Sequence, residues 1–291
     1  MKKLSMFMLS LMALCNVQAL FGWGSKGHDV VAAIAEHYLS EKTKSVLYEV
    51  LDGHSIVYYS SWMDGLQNSP EWTTTYSHTK TWHYANVDKG ETYQTMRKNE
   101  KGDVVTALTT ITANLKTYYP DNLYSVSADD VKMIIHMVGD MHCPMHAGRL
   151  SDIGGNRTKV RWFGKNANLH SVWDSKMIES ARTWSYSEWR EQLTVALDPE
   201  HQQMFWHGNY EEWFTETVAK AAQIYDYVEN LNEENPNLSY QFIYDFSPML
   251  EDRLIVGGVR LAYVLNSIFD PEANVTFSEL AEREFAESDG K

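Results

Sequence analysis

Apolar positions recur at helical spacing along most of the chain. Val30, Val31, Ile34 and Tyr38 lie on one face of a first helix. Val104, Leu108, Ile111, Leu115 and Tyr118 repeat with the same period until Pro120, which lacks the N–H needed to continue. Ser127 followed by Asp130 is a start signal for a helix carrying Val131, Ile134, Ile135 and Val138. Segments 187–197, 210–230 and 247–269 are amphipathic in the same way. Gly257 and Gly258 weaken the last of these but admit a close neighbour. Alternation with period two appears at Val160 and Trp162, before the turn-rich "GKNAN", and predicts a small β-hairpin. No repeat, linker or charge block divides the chain. The pattern predicts a mainly α, single-domain fold over residues 23–291, with an acidic, frayed tail from Ala273.

The first 19 residues change the picture of where the protein works. Lys2 and Lys3, an apolar run from Leu4 to Leu14, and Val17-Gln18-Ala19 read as a signal peptide with a small-residue cleavage site. The run is too short to span a bilayer, and Leu14 is too large for the usual lipoprotein cut before Cys15. An exported protein, secreted or periplasmic and without a membrane anchor, is expected. Only Cys143 remains after the leader, so no internal disulfide can form. Stability must come from packing and from bound metal. Net charge is −14, and loss of Lys2 and Lys3 makes it more negative. That argues against a surface gripping long nucleic acid by counterion release. It leaves open a cleft that reaches phosphate through metal ions, whose own charge must be included.

The chemistry is carried by histidines and carboxylates. His136 and Asp140 stand in "IIHMVGD", and His170 and Asp174 in "NLHSVWD". On a helix each pair points one way, about 5.4 Å apart along the axis. His146 lies in "HCPMH", Asp64 in "SSWMDG", His83 in "TWHYAN" and His28 in "WGSKGHDVV". Neutral imidazole and carboxylate are zinc ligands. Each pair alone reads equally well as a buried His–Asp hydrogen bond. Asp64 alone reads as a helix-end residue, and His83 as a polar member of an aromatic cluster with Trp82 and Tyr84. A buried carboxylate is costly without a cation or donors, however. Two pairs with four further candidates suffice for more than one ion. His142 is four residues from His146, but Pro144 between them breaks regular helix, so a structural role is expected.

Six segments in order, "WGSKGH", "SSWMD", "TWHYAN", "IHMVGDMHCPMH", "GGN" and "NLHSVWD", resemble the S1/P1 nuclease family from Trp23 to about Phe269. These are zinc-dependent, single-strand-specific nucleases whose helical fold is shared with zinc-dependent phospholipase C. The resemblance implies three Zn2+ ions. Asp64, His83, His136 and Asp140 would hold the first, and His146, His170 and Asp174 the second. His28, a bridging Asp140, and the amine and carbonyl of Trp23 would hold the third. Asp64 and Asp140 would be the catalytic carboxylates, acting through a metal-bridged hydroxide. Tyr84 and Asn86 stand where the family places its base-stacking ring and base-edge polar group. The implied substrates are single-stranded DNA and RNA, cut to 5′-nucleotides, and 3′-mononucleotides; no protein partner is implied.

Three positions depart from the family pattern. Gln67 replaces a basic residue that steadies the phosphate, which bears on transition-state stabilisation. Cys143 stands where glutamine is expected. Trp23 offers a free amine only if cleavage falls after Gly22, whereas Ala19 is the better cleavage motif. A phospholipase C-like lipid phosphodiesterase is the competing function, and a zinc-scavenging binding protein a third. "TWHYAN" favours nucleotides, and the acidic balance disfavours anionic membranes.

Overall fold

The computed structural model describes residues 23–119, 125–195, 197 and 205–273. The expected leader, Pro120 and the acidic tail beyond Ala273 lie outside them. The fold is mainly α with one small sheet. In chain order the helices are α1 (Ser25–Tyr38), α2 (Glu41–Val50), α3 (Trp62–Gly65), α4 (Val104–Tyr118), α5 (Ala128–His142), α6 (Leu169–Ser171), α7 (Met177–Ala181), α8 (Tyr186–Thr194), α9 (Tyr210–Asn230) and α10 (Tyr240–Phe269).

α5 is the centre of the molecule. Ser127 starts it by accepting from Asp130 N (3.2 Å), as the start signal predicts. From Met133 to His142 every residue is buried, because α1, α4, α9 and α10 pack around it. A helix enclosed on all sides needs apolar residues on all sides. The polar exceptions, His136, Asp140 and His142, therefore require partners. α1 lies against α10, α5 and α8. Gly258 makes the α1–α10 approach possible, since a Cβ there would stand 2.4 Å from Ile34 Cγ2.

Three expectations are corrected. The 247–269 segment begins earlier, at Tyr240, with Pro248 inside the helix. The carbonyl that Pro248 leaves without its helical donor belongs to Tyr244, which is exposed. The helix expected over 187–197 runs from Tyr186 to Thr194, set by a Ser185–Glu188 capping box. The hairpin pairs β1 (Lys159–Trp162) with β2 (Lys165–Asn168), so "GKNAN" supplies mostly strand, and the turn is Phe163-Gly164, both at positive φ. A third strand, β3 (Asn237–Leu238), pairs parallel with β1. Two residues are too few to show a period.

Candidate metal centre

Five segments converge beside α5, one of them α1, which carries His28. Asp64 comes from α3, His83 from the turn that follows the 3-10 helix Ser77–Thr81, and His146 from the 3-10 turn Pro144–Ala147. His170 lies in α6, and Asp174 in the π-helical turn Val172–Lys176 that follows. That pair thus spans a junction in winding rather than one regular α-turn. Three groups of ligand-type atoms result, each within 4.8 Å of one another: His28, His136 and Asp140; Asp64, His83 and His136; and His146, His170 and Asp174. Asp140 faces two ways. Its Oδ2 is 2.9 Å from His83 Nδ1 and 3.0 Å from His136 Nε2. Its Oδ1 is 3.3 Å from His28 Nε2 and 3.7 Å from His146 Nδ1.

Backbone carbonyls set the histidine rings. His136 Nδ1 donates to Ser60 O (2.8 Å), His146 Nδ1 to His83 O (2.5 Å) and His170 Nδ1 to Gly154 O (2.7 Å). Each bond fixes ring orientation and, in the neutral tautomer, puts the lone pair on Nε2. Ser60 is itself held, its hydroxyl donating to Asp29 Oδ1 (2.6 Å). The Gly154 carbonyl is presented by a turn in which Ile153, Gly154 and Gly155 all have positive φ. His28 stacks on His136 with ring centroids 3.9 Å apart. It has room because residue 139 is glycine: a Cβ there would stand 2.9 Å from His28 Nδ1.

The fit of these residues to cations can be judged from the atoms that lack hydrogen-bond partners. Asp64 Oδ1, Asp140 Oδ1, Asp174 Oδ1 and both ring nitrogens of His28 are buried without one. Such groups are costly singly, and five in one place call for a common partner. Burial pushes Asp174 well above the usual carboxylate range, and the charges of Asp64 and Asp140 add to this. Burial opposes a charged His136, but Asp140 and Asp64 outweigh it and raise the imidazole well above its ordinary value. Burial likewise resists the Asp140 charge, yet His136 and His146 hold it well below the usual range. Burial lowers His28, with His136 acting in the same sense, and pushes His146 down to about 4. Divalent cations would replace the protons on His136 and Asp174 and satisfy the three carboxylate oxygens and one ring nitrogen of His28. The donor set of imidazole and carboxylate suits zinc.

The S1/P1 Nuclease family profile matches residues 23–270. The chain belongs to the S1/P1 nuclease family. It is 29% identical to Endonuclease 2 of Arabidopsis thaliana over 91% of this chain and 96% of that protein. Endonuclease 4 of the same plant is 30% identical over 85% and 89%, and Nuclease S1 of Aspergillus oryzae 26% identical over 89% and 96%.

Tyr84 is half-buried and lines a groove with Asn86, whose amide donates to Gly148 O (2.9 Å). Gln67 is exposed one turn beyond Asp64, with Nε2 3.5 Å from the Asp64 carbonyl. Trp23 is fully buried under α1, where Gly27 leaves space for it, and Gly24 N donates to Asp174 O (2.6 Å). Cys143 is buried and free, its thiol pushed well up by burial. His142 donates to Val138 O (2.7 Å) and lies 3.2 Å from Arg260, a structural placement. Ser60, His83 and Gly154 stand in "SSWMD", "TWHYAN" and "GGN", but the roles of their carbonyls were not readable there, because they act through main chain. Gly139 left a signal, a glycine inside an otherwise strong helix pattern.

Proposed function

We propose that the chain is an exported hydrolase that cuts single-stranded DNA and RNA to 5′-nucleotides and removes phosphate from 3′-mononucleotides. The observation that carries this reading is the convergence of buried, partnerless carboxylate and imidazole atoms beside the half-buried Tyr84 ring. The names of the relatives, endonuclease and nuclease, support the reaction class. In this reading three zinc ions bind. Asp64, His83, His136 and Asp140 hold one, His146, His170 and Asp174 a second, and His28, Asp140 and the terminal amine and carbonyl of Trp23 the third. Bound zinc supplies Lewis-acid stabilisation of phosphoryl charge and acidifies water.

The chain's own residues do the rest. Asp140, with one oxygen toward each side, ties two ion sites into one charge system. Tyr84 offers a face for a base already free of a duplex, which favours single strands. Asn86 Oδ1 accepts from a base edge while its Nδ2 is held by Gly148. Gln67 is uncharged, so it hydrogen-bonds a phosphate without neutralising it, and the cations carry that burden.

Hydrolysis of single-stranded DNA, 3′-AMP and phosphatidylcholine, measured side by side on the zinc-loaded protein, tests the assignment. Turnover of the first two is expected; hydrolysis of lipid alone overturns it, and tight zinc binding without any turnover makes it a binding protein. Asp140→Asn is expected to lose zinc from two sites and abolish turnover. Full zinc content with normal rates, measured by elemental analysis, refutes the bridging role. Amino-terminal sequencing of exported protein should begin at Trp23, and a Leu20 start removes the amine ligand.

A further inference from the structure

The overall charge of −14 conceals a local reversal. A groove of about 700 Å3 opens beside Tyr84 and Asn86, and Lys80, Arg97 and Lys101 line it. All three are exposed, and none has a carboxylate within ion-pair distance among the described residues. Some bases elsewhere are paired, Lys89 with Asp226 and Glu229, the partly buried Arg149 with Glu229, and Lys44 with Glu41, while others such as Lys116, Arg161 and Lys165 stand on the surface without an ion pair among the described residues. Lys98 lines the groove too, its ammonium over the Tyr93 ring, so four cations gather in one groove of a chain with 39 acidic residues against 25 basic ones. Glu100 is the one exposed carboxylate lining it; Asp103 is buried and accepts from the Tyr93 hydroxyl (3.0 Å).

The groove is built rather than loose. Thr81 Oγ1 donates to Gly102 O (2.8 Å), Trp82 Nε1 to Lys101 O (2.8 Å), and Val104 N to Tyr84 O (3.3 Å). These bonds bind the 97–103 turn to the segment that carries His83 and Tyr84. Asn99 and the positive φ of Gly102 shape the turn, and Asp103 caps α4 behind it. The cations are thereby held in register with the stacking ring.

We propose that this groove binds the phosphodiester backbone of a single strand running away from the metal centre, so that polynucleotides are held beyond the one nucleotide at Tyr84. The proposal rests on the hydrolase reading above. A positive track beside an aromatic platform is how single strands are bound without sequence preference. Placing it on an otherwise acidic surface repels strands elsewhere and focuses them on the groove.

The test compares two triple variants with wild type, all zinc-loaded: Lys80→Gln with Arg97→Gln and Lys101→Gln, and the charge-keeping Lys80→Arg with Arg97→Lys and Lys101→Arg. Two quantities are read. One is the ratio of kcat/KM for an oligothymidylate of about 20 nucleotides to that for the dinucleotide. The other is the salt dependence of affinity for a cleavage-resistant phosphorothioate oligothymidylate. With about 0.7 in slope per phosphate contact, the glutamine variant should lose about 2 units of slope, and its rate ratio should fall about tenfold. The charge-keeping variant should retain both. An unchanged ratio and slope, or an equal loss on long and short substrates, overturns the proposal. Binding with the expected slope but no turnover by wild type sinks the hydrolase reading and leaves the groove. Turnover with an unaltered slope in the glutamine variant does the reverse.

Discussion

A methyl group on Gly139 would stand 2.9 Å from His28 Nδ1, inside the closest approach a real Cβ makes. In an ordinary helix interior the exchange to alanine stabilises by about 1 kcal/mol. Here the ring cannot retreat, because it is stacked on His136. We predict that Gly139→Ala lowers bound zinc and turnover while the melting temperature fails to rise; full zinc by elemental analysis with normal rates would contradict this. Tyr84→Ala acts on the substrate instead. Loss of one base–aromatic contact, about 1–3 kcal/mol, should raise KM for nucleotides about tenfold or more with zinc stoichiometry intact. If zinc is lost instead, Tyr84 belongs to the scaffold. The ligand-type residues were legible because His and Asp at four-residue spacing inside apolar runs are expensive without a purpose. The Ser60, His83 and Gly154 carbonyls that aim the rings were not, because every residue has a carbonyl.

At the scale of elements, α5 does what its sequence pattern predicts, and α10 does more. Gly257 and Gly258 suggested close packing, and the structure supplies the neighbour, Ile34 on α1. Gly258→Ala is therefore predicted to destabilise by about 1–3 kcal/mol through overpacking, against its favourable helix propensity. A lowered urea midpoint with unchanged slope is the measurement, and a raised midpoint would show that the helices can part. The π-turn from Val172 to Lys176 was not readable, since a His–Asp pair four apart fits a regular α-turn equally well. Tertiary packing chose the wider winding that brings Asp174 to His146 and His170.

For the whole molecule, metal and pH are linked. A raised pKa in the folded state means stability that is present at low pH and lost as pH rises through the folded value. His136 and Asp174 are both raised, so without zinc their contribution falls as they give up protons. Asp140 is lowered and contributes the opposite way, but its loss lies in acid, below about 3.8. His28 and His146 are lowered, and above about pH 6.5 they are neutral in both states and drop out. From about pH 6.5 upward, the ordinary value of His136, chelated protein should thus lose stability with rising pH until the raised groups have given up their protons, while zinc binding, which needs deprotonated ligands, strengthens. The gap in melting temperature between zinc-loaded and chelated protein should widen across that range. A gap that stays constant would show that the cluster is not what metal stabilises. Among the described residues Cys143 is the one cysteine, free and buried, so no disulfide there masks the effect.

The amino-acid sequence by itself determined the helical class, the helix that starts after Ser127 and carries Val131, Ile134, Ile135 and Val138, and the residue types of the candidate metal centre. These follow from short-range regularities, the 3.6-residue period and the expense of burying polar side chains. It also set the total charge, from which a surface unfit for long polyanions was inferred. Only the tertiary structure decided that Arg97 and Lys101 join Lys80 in the groove beside Tyr84, that Asp140 turns one oxygen to each side, and that main-chain carbonyls aim the rings. Those facts depend on which segments meet. Net charge is a sum over the surface, whereas a strand responds to the field where it lies.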